Sequence, residues 1–147
     1  MQITEIDDFV TGLDGVLALR PAEGSDFPEI SWGDIFYYYA PDGVVPRTQP
    51  FATIITKNYP DDTASDLDRP GAFRLNVAVT KSTFTEHAAN PLADNTFAPH
   101  PQYPNWLSIT DPGRESAESL RNLIREAHAR TRTRIDRRAG APGTDVE

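Results

Sequence analysis

Arg74 and Asn76 stand two residues apart within residues 73–79, where apolar Phe73, Leu75, Val77 and Val79 alternate with a second set, Arg74, Asn76 and Ala78. Alternation at period two assigns the two sets to opposite faces of one β-strand. A guanidinium offers a planar fork of donors and an asparagine both a donor and an acceptor, so the pair suits a carboxylate or an amide-bearing ligand. The plainer account of the same residues pairs Arg74 with a loop acid, Asp66 or Asp68, and has Asn76 cap a neighbouring loop.

Other chemistry-bearing residues lie on adjoining segments. Residues 65–71, Ser-Asp-Leu-Asp-Arg-Pro-Gly, form a long polar loop leading into that strand, and such loops often carry function. Asp66, Asp68 and Arg69 are its candidate contacts. With Asp61 and Asp62 upstream the loop has the oxygen ligands for a hard cation, but it lacks the glycine and closing glutamate of a calcium loop, so no metal is expected. Lys57 ends a strand; a desolvated lysine there is a base or Schiff-base nucleophile, a hydrated one a simple surface charge. His100 and Tyr103 lie in His-Pro-Gln-Tyr-Pro-Asn-Trp, residues 100–106, a proline-stiffened segment able to wall a pocket and offer an imidazole titrating near neutrality. Otherwise it is a packed loop around Trp106. His87 and His128 are remote in sequence and complete no metal signature. No glycine-rich phosphate loop, nucleophile elbow or metalloprotease helix is present. The candidate ligand-binding set is therefore Lys57, Asp66, Asp68, Arg69, Arg74, Asn76, His100 and Tyr103, with no catalytic residue, metal or cofactor assigned. An enzyme alternative uses His100 as acid or base, with Arg74 and Lys57 binding an anion.

These residues need elements to hold them. Thr4 with Glu5, Ile6 and Asp7 resembles a capped start, and Ile6, Phe9, Val10 and Leu13 share one helical face before Gly15. Strands are predicted over residues 16–19, 35–39, 51–57, 73–79 and 106–109. In residues 35–39, Ile35, Tyr37 and Tyr39 oppose Phe36 and Tyr38, so both faces are aromatic. One must be covered by helices, a ligand or another subunit, which leaves a monomer or a homodimer open. Thr83 and Glu86 have capping-box spacing for a short helix to about residue 89. Asp111-Pro112 predicts the opening of a long helix. Its core stripe is Ala117, Leu120, Ile124, Ala127 and Thr131. Successive strands joined by turns give an α+β, two-layer, mainly antiparallel sheet with the N-terminal and long C-terminal helices on one face. Residues 1–138 read as one domain and 139–147 as a disordered tail.

Composition narrows the class. Net charge is −8, but residues 1–113 carry 6 basic and 16 acidic groups whereas residues 114–138 carry 8 arginines and 4 acids. Those arginines are interspersed with Glu115, Glu118 and Glu126, the pattern of a solvated helix face, and the acidic body argues against nucleic acid as partner. The chain has no cysteine, hence no disulfide framework and no thiolate site. No apolar run reaches the roughly 18 residues of a membrane span, and the acidic N-terminus is unlike a signal peptide. A cytoplasmic protein binding a small molecule or a protein partner is expected.

The helix ending Leu13-Asp14-Gly15-Val16, the aromatic strand after Trp32-Gly33, the strand Phe73-Arg74-Leu75-Asn76-Val77 before a short helix, and the Trp106 strand before a helix with Glu126-Ala127-His128 together resemble the MmcQ/YjbR-like group over about residues 3–135. More closely, Trp32-Gly33-Asp34, Phe51-Ala52-Thr53-Ile54, residues 65–71, Phe73-Arg74-Leu75-Asn76, His100-Pro101 and Glu126-Ala127-His128-Ala129 resemble an uncharacterised domain-of-unknown-function family common in actinomycetes. The resemblance implies a double-wing-like α+β fold and no reaction. The broader group carries a DNA-binding label, which makes DNA binding the alternative expectation.

Overall fold

The computed structural model describes residues 1–140. Helix α1 (Ile3–Thr11) leads into β1 (Val16–Leu19), β2 (Ile35–Tyr39), β3 (Ala52–Ile55) and β4 (Arg74–Ala78). Helix α2 (Lys81–Glu86), the two-residue β5 (Ala98–Pro99), β6 (Trp106–Thr110) and helix α3 (Ala117–Gly140) complete the order. The six strands form one open sheet in the order β1-β2-β3-β4-β6-β5, and every neighbouring pair is antiparallel. This is the expected α+β architecture with one strand more. β5 lies in a proline-rich segment too short to show a period of its own.

Alternation sorts each strand into two layers. Ile35 and Tyr37 of β2, Ile54 of β3, Leu75 and Val77 of β4 and Ile109 of β6 join Ile6 and Val10 of α1 and Leu120, Ile124 and Ala127 of α3 in one core cluster. The whole predicted α3 stripe, Thr131 included, is buried. At the sheet edge Gly15 has a φ of +67°, and a Cβ there would lie 2.7 Å from the Tyr39 ring. A side chain would meet both backbone strain and a clash.

Three helix starts differ from expectation. α1 is capped two residues upstream of Thr4, at Gln2, whose N–H donates to the Glu5 carboxylate at 2.8 Å. α2 begins after Thr80 rather than Thr83, with Thr80 Oγ1 accepting from Thr83 N–H at 3.1 Å. Both threonines can cap, and the earlier one serves because β4 has just ended. Asp111 does not cap α3: it has a φ of 44°, and its carboxylate accepts from Phe73 N–H at 3.0 Å. A 3₁₀ turn, Arg114–Ser116, intervenes, and Asn95 Oδ1 accepts from Gly113 N–H and Ser116 Oγ, both at 2.7 Å. Asn95, 18 residues before Gly113, thus ties down the turn that leads into α3. α3 reaches Gly140, so the expected tail lies, from residue 141 onward, outside the described residues.

Candidate ligand-binding site

The face of the sheet away from the helices carries the other half of each alternation. Phe36 stands opposite Thr53, Thr53 opposite Asn76, and Asn76 opposite Ser108. Ser108 Oγ donates to Asn76 Oδ1 at 2.6 Å and Arg74 Nε donates to the same oxygen at 2.9 Å. Asn76 Nδ2 donates to Thr53 Oγ1 at 3.0 Å. With both incoming bonds on one atom, the amide can point only one way.

Arg74 is 1% exposed, and a charge at that depth persists only when paired and hydrogen-bonded. Its partner is Asp62, not Asp66 or Asp68. The two groups meet fork to fork, Nη1 donating to Oδ1 at 2.9 Å and Nη2 donating to Oδ2. Nη1 also donates to Ser65 Oγ at 3.0 Å. Donation by Arg74 holds the Asp62 carboxyl below the ordinary carboxylate range, against the opposing effect of burial. Asn76, expected to cap a loop, is engaged within the sheet.

His100 Nε2 lies 3.5 Å from Arg74 Nη2. His100 Nδ1 accepts from the backbone N–H of Gln102 at 3.0 Å and of Tyr103 at 3.2 Å, and the Gln102 amide donates to the Asp61 carbonyl. The loop after β5 and the loop bearing Asp62 are therefore tied to each other. Burial, reinforced by the Arg74 charge, lowers the His100 pKa to about 4, while Asp62 opposes the shift. The ring is neutral at physiological pH.

These groups floor and roof an open cavity of about 630 Å³. Phe36, Tyr38, Ile55 and Trp106 form its apolar walls, and Ile30 and Tyr103 stand at the rim. Tyr103 is 53% exposed, with its ring centroid 4.7 Å from that of His100. The aromatic residues of β2 thus divide: Tyr37 faces the helix-covered core, and Phe36 and Tyr38 face the cavity.

Four members of the sequence-derived set, Arg74, Asn76, His100 and Tyr103, meet in this cavity. The other four do not line it. Lys57 Nζ donates to the Trp32 carbonyl at 2.6 Å and to Asp34 Oδ1 and Thr56 Oγ1, both at 3.2 Å, so its three protons are used. Asp34, buried, also accepts from Thr56 N–H and Oγ1 and from the Tyr59 hydroxyl. The Tyr59 hydroxyl is pushed above the ordinary phenol range, first by burial and then by that bond. Arg69 bridges Asp94 at 3.3 Å and Asp111 at 3.7 Å, with Asp66 at 3.7 Å. Asp68 accepts from Asn58 N–H and Nδ2, both at 3.3 Å. These three residues pin the 65–71 loop to its surroundings. Among the described residues no group of three His, Asp or Glu side chains could hold a metal ion.

Asp62, weighed in the sequence only as a possible cation ligand, and Thr53, Ser108 and Gln102 stand outside the candidate set yet line or support the cavity. Thr53 and Ser108 sit at alternate positions of apolar strands, a signal equal in kind to that of Asn76. Asp62 was one acid among several in its loop, and only the fold selects it.

A model for a family of unknown function (DUF6194) matches residues 1–140. No curated protein and no solved structure matches the chain.

Proposed function

The chain belongs to the DUF6194 family of unknown function, and from its own chemistry we propose that it is a small-molecule-binding domain whose site is the open face of the sheet. One observation carries this reading: a buried arginine, four of whose five protons are donated to Asn76, Asp62 and Ser65, forms the floor of an aromatic-walled cavity of about 630 Å³. Ligand sites commonly occupy about 300–1,000 Å³, with mostly apolar walls and a few placed polar groups. Burying a guanidinium is expensive, and a sheet face needing only cover would be lined more cheaply by apolar side chains under a helix. Binding rather than catalysis is favoured because Lys57, the second cation of the enzyme alternative, is spent on Asp34 and the Trp32 carbonyl.

The test is a fragment screen on the ¹⁵N-labelled chain. Shifts should concentrate at Asn76, His100, Tyr103 and the Trp106 indole, and Trp106→Ala should weaken the hits. A screen in which no fragment moves these signals would sink the proposal.

We also read the element order as that of the MmcQ/YjbR-like group, supported by the aromatic β2, the β4 strand before a short helix and the β6 strand before a long one. Its DNA-binding label has one observation in its favour. Arg130, Arg134, Arg137 and Arg138 line a shallow groove on α3, and none of them has a salt bridge among the described residues. Duplex DNA should then bind at low salt and be released steeply as salt rises. Unmeasurable binding at low salt removes this second reading.

A further inference from the structure

Resting on the reading of the cavity as a ligand site, we infer that it selects uncharged planar ring compounds bearing a carbonyl oxygen, with that oxygen accepting from His100 Nε2 and Arg74 Nη2 together. The inference starts from the tautomer of His100. A neutral imidazole has one acceptor nitrogen and one N–H. Nδ1 is the acceptor, because two backbone N–H groups, of Gln102 and Tyr103, point at it. Nε2 therefore carries the proton.

The approach of Arg74 Nη2 to Nε2 at 3.5 Å then brings together two donors, not a donor and an acceptor. Four of the five guanidinium protons are taken, by Asn76, by both oxygens of Asp62 and by Ser65. The fifth is directed at His100. Two N–H groups this close are relieved by a single oxygen that accepts from both. Thr53 adds a third donor: its oxygen already accepts from Asn76 Nδ2, so its hydroxyl proton remains to be given, and the side chain lines the cavity.

The oxygen belongs to an uncharged group. Asp62 already lies along the Nη1 and Nη2 edge of Arg74, so the guanidinium charge is matched before a ligand arrives. A second carboxylate would sit beside the first, in a chain of net charge −8, and like charges at such range repel. A carbonyl dipole takes the same two hydrogen bonds without that cost. The ring follows from the walls, since Phe36, Tyr38 and Trp106, with Tyr103 at the rim, offer aromatic faces and edges to a flat partner.

Three bicyclic probes separate the possibilities: 2-quinolinone, which has a ring carbonyl; quinoline, which lacks it; and quinoline-2-carboxylate. They are titrated into the ¹⁵N-labelled full chain while the Trp106 indole N–H and the His100 ring nitrogens are followed. The unliganded protein should show His100 protonated at Nε2. 2-Quinolinone should bind roughly tenfold more tightly than either other probe, the worth of one hydrogen bond to a charged donor, and should shift His100 Nε2. An Nδ1–H tautomer, equal affinity of quinoline, or tighter binding of the carboxylate would each overturn the inference while leaving a ligand site in place. Failure of all three probes, together with an empty fragment screen, would overturn both.

Discussion

The two faces of the sheet are written in the same strands at alternate residues, yet they are opposite in character. Toward the helices stand Tyr37, Ile54, Leu75, Val77 and Ile109, closed over by Ile6, Val10, Leu120 and Ile124. Away from them stand Phe36, Thr53, Arg74, Asn76, Ser108 and Trp106, under an open cavity that, among the described residues, no α-helix lines. The first face is bound by apolar contact, which is non-directional and cooperative over many residues. The second is bound by a chain of hydrogen bonds running Ser108, Asn76, Arg74, Asp62, in which each link depends on the next. Stability should therefore be concentrated on one face and selectivity on the other.

The sharpest way to break that contrast is Ile54→Ala. Ile54 is wholly buried, so truncation removes transfer free energy and leaves a cavity, with an expected loss of about 3 kcal/mol in urea unfolding. The fragments that occupy the open face should still shift His100 and Trp106 in the folded protein. A loss below about 1 kcal/mol would mean that the core face is not where the fold is held.

The contrast also explains how much of the molecule could be read beforehand. Residues 73–79 announced both faces, because period-two alternation is a local property and places Arg74 and Asn76 together whatever surrounds them. The α3 stripe was legible for the same reason. Choices that depend on distant backbone were not. Asp62 rather than Asp66 or Asp68 meets Arg74, since the loop's path is set by Asn58, whose Oδ1 accepts from Leu67 N–H at 2.9 Å, and by the Arg69 bridges to Asp94 and Asp111. Asp111 has the right type and place to cap a helix, but Phe73 N–H claims its carboxylate. Lys57 looked available because nothing local in the sequence shows that Trp32 and Asp34 fold back onto it.

A second, smaller effect tests the polar face through pH. His100 titrates at about 4 in the folded chain, chiefly because it is buried and secondarily because of Arg74, against about 6.5 when unfolded. Between these values the unfolded chain binds a proton that the folded one refuses, so stability falls as pH drops from 6.5 toward 4. The loss is on the order of 2 kcal/mol once partial exposure is discounted. Asp62, held low by Arg74, works in the same direction but in the acid range where carboxylates protonate. His100→Gln should flatten the slope above pH 4.5 and leave the acid limb. Parallel wild-type and variant curves from pH 6.5 to 4.5 would show that His100 is not held neutral against the floor.

The smallest expected change in stability belongs to Tyr103→Ala, and it isolates the rim from the rest of the open face. The residue is 53% exposed and its ring packs at a tilt of 34° against His100, while its backbone N–H, which the substitution keeps, donates to His100 Nδ1. The tautomer and the floor should therefore survive. Unfolding free energy should change by no more than about 0.5 kcal/mol, as for surface substitutions away from special features. Ligand affinity should fall nonetheless, because one aromatic wall of the mouth is gone, by roughly the 0.5–1.5 kcal/mol that an aromatic pair is worth. Denaturant midpoints and fragment titrations on the same preparation separate the two quantities. A variant equal to wild type in both would confine recognition to the floor and inner walls, and one that lost stability by several kcal/mol would make the rim part of the fold rather than of the site.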